Sequence, residues 1–442
     1  MTANPQEEPM ALEEPTQASI VALLCRLAEG VVTPGESKTL IDEEEFPWRW
    51  SPRPGAEVEL QAEERPLPLD PPPSVAYLLP GLPPEGSGGS HSLVQEARGL
   101  RELGADARIC VPAGSLTTAA ALYGNKDELF ATYRSEPSSP GVSDSSLIDA
   151  VADAQVVVAT EYPSVELLAR LSRERPETLC AYYVQDYEPL FAVAGTSRSD
   201  RSLLSYRAIP GQLLFAKTHW LCNVVSELHG VPVAKVRPSL ARELFHARGR
   251  QEHEGVLRIA AMIRPRTPRR RPLATLDALS AIGRALGEDA QITTFGCDER
   301  SLAGLQRHAV PGIAHLGLQS RREVSELMRR SDLFIDASAY QAFGRTGLEA
   351  MACGAIPLLP ALGGVHEYAV DGENAVILTD GSAEAIVDAV VALAGDPARL
   401  EAMRRAGVLG AQGFSVERAA RSQLELFSSA IGRRRTRSTA PA

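Results

Sequence analysis

From residue 74 onward, short apolar runs alternate with stretches whose apolar positions recur at helical spacing. Val75-Ala76-Tyr77-Leu78-Leu79 is the first run; the loop Pro80 to Ser90 follows, then a helical pattern from Ser92 to Leu103 that Gly104 ends. Ala107 to Val111 reads as the next strand. Continuous apolar runs of this length suit strands buried on both faces, and strand–loop–helix–strand is the unit of a parallel sheet. The pattern recurs through the strand Ala154 to Ala159, the helix Val165 to Ser172, and strands at Thr178 to Val184 and Trp220 to Val224. Residues 74–240 are therefore expected to form a first doubly wound, Rossmann-like α/β domain.

Residues 241–254 are polar and read as a linker. A second series opens at Leu257 to Met262, with strands at Gln291 to Phe295, Ala314 to Leu316, Leu333 to Ala337, Ile356 to Leu359 and Ala375 to Leu378. Helical patterns lie between them at Pro272 to Leu286, Arg321 to Arg330, Gly347 to Ala352 and Ala383 to Ala394. Residues 255–412 are expected as a second Rossmann-like domain, and 413–442 as a helix, Val416 to Ile431, with a basic tail. Two such α/β domains face a cleft at the carboxyl ends of their strands, where ligands bind. Residues 1–73 read as an acidic, Pro-rich, partly disordered extension, with a short helix at Ser19 to Glu29 and anchors at Phe46, Trp48 and Trp50.

Composition narrows the class. Of 442 residues, 44% are hydrophobic and 23% charged, which excludes collagen-like, disordered and disulfide-scaffold chains. No run reaches the ~18–20 apolar residues of a spanning helix, and no basic segment precedes Ser19 to Leu24 as in a secretory signal. A cytoplasmic location is expected, with six single, reduced cysteines. The net charge is −11, but residues 1–70 hold 15 acidic and only 5 basic residues, so the body is close to neutral. Nothing in that balance calls for a nucleic-acid partner.

Three stretches carry candidate chemistry. Gly86-Ser87-Gly88-Gly89-Ser90-His91 lies between a strand and a helix, where backbone amides can approach a phosphate or sugar. A ligand loop is the favoured reading of those glycines, with a mere tight turn as the alternative. A nicotinamide fingerprint fits poorly, because His91 stands at its third glycine and no acid follows Val111. Arg264, Arg266, Arg269, Arg270 and Arg271 place five arginines in eight residues just after the strand Leu257 to Met262. They suit diphosphate oxygens, the alternative being a solvated basic loop. The third stretch, Ser338 to Gly354, runs from a strand through a small-residue loop into a helix. Its amides around Phe343 to Thr346 would face an anion, and Glu349 could accept two ribose hydroxyls or simply be a solvated charge.

Gln341-Ala342-Phe343-Gly344 followed by Glu349-Ala350-Met351-Ala352-Cys353-Gly354 resembles the E-x-F-G-x-x-x-x-E-A-x-A-x-G stretch of retaining GT-B glycosyltransferases of family four. Ile356-Pro357, Gly363-Gly364, Glu367, Asp371-Gly372-Glu373-Asn374, His315-Leu316-Gly317 and Ala260 to Arg264 extend the likeness over most of residues 255–410. Tyr183 to Pro189 and Arg264 to Arg270 resemble a narrower group that includes rhamnan-synthesising rhamnosyltransferases. The resemblance implies a GT-B fold and transfer of a sugar, rhamnose or another hexose, from a dTDP, UDP or GDP donor with retention. The acceptor would be a hydroxyl of a glycan or lipid-linked saccharide, and a lipid-linked one would bring the protein to the inner face of the membrane.

The same resemblance assigns Arg264 and Arg269 to the phosphate pair, with Arg270 as a one-residue alternative. It places Gly88, Gly89, Gly296, Leu316, Phe343, Gly344, Arg345, Thr346 and Glu349 around the donor. Asp186, just after the strand Thr178 to Val184, could touch donor sugar or acceptor, or equally be a structural carboxylate capping the next turn. The resemblance implies no cofactor and no metal, consistent with the lack of a D-x-D sequence. One departure is Gln341, where the family has glutamate; an amide cannot act as a general base. A catalytically inactive GT-B scaffold subunit is the competing expectation, and a nicotinamide-dependent oxidoreductase a third.

Overall fold

A computed structural model describes residues 71–83, 86–124, 128–134, 145–192, 196–250, 255–305 and 312–439. The expectations for the extension, including its short helix and aromatic anchors, lie outside the described residues except at 71–73.

Thirteen described strands form two sheets. The first contains β1 (Val75–Leu78), β2 (Ala107–Pro112), β3 (Phe130–Tyr133), β4 (Val156–Ala159), β5 (Leu179–Val184), β6 (Leu213–Ala216) and β7 (Val233–Lys235). The second contains β8 (Leu257–Met262), β9 (Ala290–Phe295), β10 (Ile313–His315), β11 (Leu333–Ile335), β12 (Ile356–Pro360) and β13 (Val376–Leu378). Their orders are β3-β2-β1-β4-β5-β6-β7 and β10-β9-β8-β11-β12-β13, and the neighbouring strands pair in parallel. Both sheets therefore reverse direction beside their first strand, between β1 and β4 and between β8 and β11. At such a switch point the flanking loops part and leave a crevice.

Alternating side chains sort the central strands between two cores. Val75, Tyr77 and Leu79 pack on one face of the first sheet, Ala76 and Leu78 on the other. In the second sheet Ile259 and Ala261 face one core and Ala260 the opposite one. With both faces covered, nearly every position is apolar, Arg258 at the start of β8 being an exception, which is why these strands show no polar alternation.

Five helices bear on the site: α1 (Gly88–Glu102), α2 (His219–His229), α3 (Arg321–Arg330), α4 (Arg345–Ala352) and α5 (Val416–Thr439). The segment expected as a strand, Trp220 to Val224, belongs to α2. Thr218 caps that helix by accepting from Leu221 N–H, and Leu221, Cys222, Val224 and Val225 form its buried face. The strand of this region is β6, a few residues earlier.

Helix α5 returns to the first sheet. Ala420, Leu424 and Phe427 join the core formed by Val75 and Tyr77. A buried polar chain fixes the docking: Gln423 donates to Glu96 at 2.8 Å, and Tyr77 donates its hydroxyl to Gln423. Conversely, Leu240, Ala241 and Phe245, at the expected linker's start, sit in the core of the second sheet. No helix among the described residues is long and apolar enough to cross a membrane. The five described cysteines are unpaired and buried.

Candidate functional site

The glycine-rich loop leads from β1 into α1. Ser87 caps the helix, accepting from Ser90 N–H while the Ser90 hydroxyl receives Ser87 N–H. A Cβ on Gly88 would meet nothing within 4 Å, so this backbone is open to approach. A Cβ on Gly89 would lie 2.8 Å from Oε1 of Gln185, a buried oxygen without a hydrogen-bond partner. His91, in the first turn, sets its Nδ1 2.9 Å from the Tyr123 hydroxyl. Burial, then Arg321, Arg345 and Arg264, lower its pKa to about 3, so the imidazole is neutral.

Those three arginines come from three elements of the second domain. Arg264 follows β8, is half-buried, and its side chain has no hydrogen-bond or ion-pair partner among the described residues. Arg345, opening α4, donates to Ser92 of the first domain and lies 3.4 Å from Glu349. Arg321, opening α3, lies 3.5 Å from the same Glu349 oxygen and 3.4 Å from Gln95 across the cleft. Glu349 is the only carboxylate that Arg321 and Arg345 pair with among the described residues. Three fixed cations thus act on His91 beside the N-terminus of α1, whose free amides add positive potential, and Glu349 pairs with two of them.

The N-terminus of α4 points to the same region. Gly344 caps it at φ +78°, a left-handed conformation, and a Cβ there would sit 2.7 Å from the Tyr368 hydroxyl, which donates to the Gly344 carbonyl. Gly363 and Gly364 permit an equally close approach. A Cβ on Gly364 would overlap Thr218 of the first domain, and one on Gly363 would overlap the Gln341 carbonyl. Next to Thr218, His219 directs its N–H and Nδ1 to Glu367 of the second domain, and Lys235 lies 3.0 Å from that carboxylate.

The remaining arginines are more enclosed. Arg269 crosses the cleft to Asp186 at 3.0 Å and lies over the rings of Tyr340 (5.0 Å) and Phe191 (5.4 Å). Its Nε and Nη1 are buried without a hydrogen-bond partner among the described residues, as are the Tyr340 hydroxyl and the Trp220 indole N–H beside it. Arg270 approaches Asp336 at 3.4 Å; burial first, then repulsion from Arg269, lowers its pKa to about 10. Gln341 is 2% exposed and donates its amide to the same Asp336 oxygen and, at 3.3 Å, to Ser338.

The structure thus gathers Gly88, Arg264, Arg345 and Glu349 at one end of the cleft and Asp186 with Arg269 at another. Arg270 and Gln341 meet through Asp336. Gly89 faces Gln185, Phe343 packs edge-on against Tyr368, and Thr346 lies in the first turn of α4. Gly296, at φ +107°, donates its N–H to Gly317, next to Leu316, which is 44% exposed. Sequence reasoning missed Arg321, Asp336, Tyr340 and Lys217. Arg321 sits at a helix start that only its Ser320–Glu323 capping box announces, and nothing local marks the other three.

Two parallel doubly wound sheets with a cleft at their switch points, and a last helix crossing back to the first, constitute the GT-B architecture. Residues 260–408, about a third of the chain, match the family described as Glycosyl transferases group 1. D-inositol 3-phosphate glycosyltransferase of Arthrobacter sp. (strain FB24) is 28% identical over 204 residues, 46% of this chain and 44% of that protein. O-antigen biosynthesis protein RfbC of Myxococcus xanthus is 30% identical over 177 residues, 40% of this chain and 13% of that protein. The chain therefore spans less than half the length of these relatives. Among solved structures, Anabaena Alr3699/HepE in complex with UDP and glucose superposes with a TM-score of 0.66 at 16% identity, covering 81% of this chain and all of that one. WaaG, a glycosyltransferase involved in lipopolysaccharide biosynthesis, superposes with a TM-score of 0.61 at 15% identity over 80% of this chain and 99% of its own.

Proposed function

We propose that the protein transfers a hexosyl group from a nucleoside-diphosphate donor to a hydroxyl acceptor in the cleft between its two sheets. One observation carries this reading. Arg264, whose side chain has no partner among the described residues, converges with Arg321 and Arg345 on a neutral His91 at the N-terminus of α1. An excess of fixed positive charge in a partly closed cleft is suited to an anion, and a leaving diphosphate gains more charge as the glycosidic bond breaks. Arg264 and the amides at the starts of α1 and α4 would stabilise that charge. Glu349 would orient Arg321 and Arg345 while its free lone pairs receive ribose hydroxyls. Asp186, held by Arg269, would face the sugar or acceptor.

The family match and the UDP bound in a structural neighbour support a nucleotide-sugar donor. The relative named for O-antigen biosynthesis supports a glycan or lipid-linked saccharide acceptor. Rhamnose as the sugar, and retention at its anomeric carbon, rest on the motif likeness.

The test is thermal unfolding with UDP, dTDP and GDP, followed by donor hydrolysis. A ligand at ~100 times its Kd stabilises by about 2.7 kcal/mol, so the preferred nucleotide raises the midpoint. Arg264→Ala should remove that shift and cost about 2–4 kcal/mol in transition-state stabilisation. Hydrolysis within threefold of wild type by the folded variant would refute the assignment. Nucleotide binding without any sugar release would support the inactive scaffold instead.

A further inference from the structure

Lys217, at the carboxyl end of β6, is a buried cation that the mechanism above leaves unused. Among the described residues no carboxylate lies within ion-pair distance of it. Its ammonium donates to the Ser92 hydroxyl at 3.0 Å and stands 5.5 Å from the Tyr183 ring and 5.6 Å from that of Phe343. One aromatic face belongs to each domain.

Ser92 is the junction. Its oxygen accepts from Lys217 and from Arg345 Nη2, while its hydroxyl donates to the Gly88 carbonyl at 3.1 Å. Two cations, one from each domain, therefore share one neutral oxygen directly behind the glycine loop. A hydroxyl has two acceptor positions and one proton, and all three are used. The two positive charges repel across that oxygen, and Glu349 pairs with Arg345 and not with Lys217; a diphosphate at the Gly88 backbone would offset both.

We infer that Lys217 is a positioning residue of the donor site: through Ser92 it sets the Gly88 loop and the Arg345 guanidinium, and its charge helps hold the anionic diphosphate. This rests on the donor reading given above. The groups facing Lys217 are Glu96 on α1, Arg345 on α4 and Asp186 after β5, with Tyr183 on β5. Burial, then Arg345, outweigh Glu96 and Asp186 and bring its pKa to about 8. Above that pH, binding an anion that favours the charged form must draw a proton onto Lys217 from solvent, so affinity falls as pH rises past 8. His91 stays neutral throughout, and Arg270, at about 10, is still charged at pH 9. The terminal phosphate, with a pKa of about 6, is already ionised.

The experiment is isothermal titration of the full chain with UDP, dTDP and GDP between pH 7.5 and 9.5. The best-binding nucleotide should weaken by up to about 25-fold across that range, the limit set by one proton titrating near pH 8. Lys217→Arg, which keeps charge and reach, should bind within about threefold of wild type at pH 7.5 and lose the pH dependence. Lys217→Met should bind about tenfold more weakly at pH 7.5, also without pH dependence, and Ser92→Ala should weaken binding while Lys217 still titrates. Should the methionine variant fail to fold, the arginine variant and the wild-type pH series decide. Wild-type affinity that is flat above pH 8, or an arginine variant that keeps the slope, overturns the role of Lys217 alone. A wild-type protein that binds none of the three nucleotides overturns the donor reading, and this inference with it.

Discussion

Gln341 has its amide committed to Asp336 and Ser338 behind the arginine cluster, and is almost fully enclosed. A glutamate there would place a second carboxylate against Asp336, with Arg270 at 3.4 Å and the more distant Arg269 to offset it. Two buried carboxylates in contact do not both ionise, so one proton stays bound above the usual carboxylate range. Gln341→Glu should therefore cost roughly 1–3 kcal/mol at pH 7, from repulsion and a lost donor. The sign with pH follows: an acid whose folded-state pKa is raised is tolerated below its unfolded pKa and destabilises as pH rises. The deficit relative to wild type should be small near pH 4 and grow toward pH 7, and Asp336→Asn in the same chain should restore most of it. Urea unfolding at both pH values measures this; a pH-independent deficit would argue against the pairing. The departure of Gln341 from the family pattern was legible in the sequence. Its partner was not, because Asp336 lies at the end of β11 and the two meet only through the turn at Ser338.

At the scale of elements, most strands were legible because their continuous apolar runs reflect burial on both faces. The segment at Trp220 was misread for the same reason. Leu221, Cys222, Val224 and Val225 cover a helix face pressed on the sheet, and a short apolar run does not reveal its period. Thr218, the capping residue, was the available signal. Strand β3 and the edge strand β7 escaped notice because neither carries a continuous buried run. Helix α5 was expected, but not its destination. Phe427 is fully buried and meets Phe215 edge-on at 5.5 Å. Phe427→Ala should cost about 3–5 kcal/mol, as large aromatic truncations in cores do. Because the lost contacts belong to the first sheet, thermal unfolding should report the whole protein, and a cost under 1 kcal/mol would mean α5 is not integral to that core.

For the whole molecule, both sheets, their cores and the cleft lie within residues 71–439. A chain starting at Pro71 should keep its melting midpoint within about 2 °C, since substitutions outside the core are usually worth under ~0.5 kcal/mol each. Its nucleotide-induced shift should persist, and its isoelectric point should rise, because residues 1–70 carry nearly all the net charge. Loss of that shift in a folded truncation would assign part of the site to the extension.

Apolar periodicity along the chain was enough to determine two parallel α/β units, because strands covered on both faces leave a one-dimensional trace. Placement after a strand was likewise enough to mark the Gly88 loop, Arg264 and the start of α4, since strand ends in such sheets converge on one crevice. Which charges meet there was decided only by the tertiary structure. Arg321 and Arg345 share Glu349, Arg269 reaches Asp186, and Lys217 shares Ser92 with Arg345 because two domains close on each other. Those contacts span up to 253 positions of sequence, and no local pattern encodes a pairing whose energy arises only when distant charges leave water together.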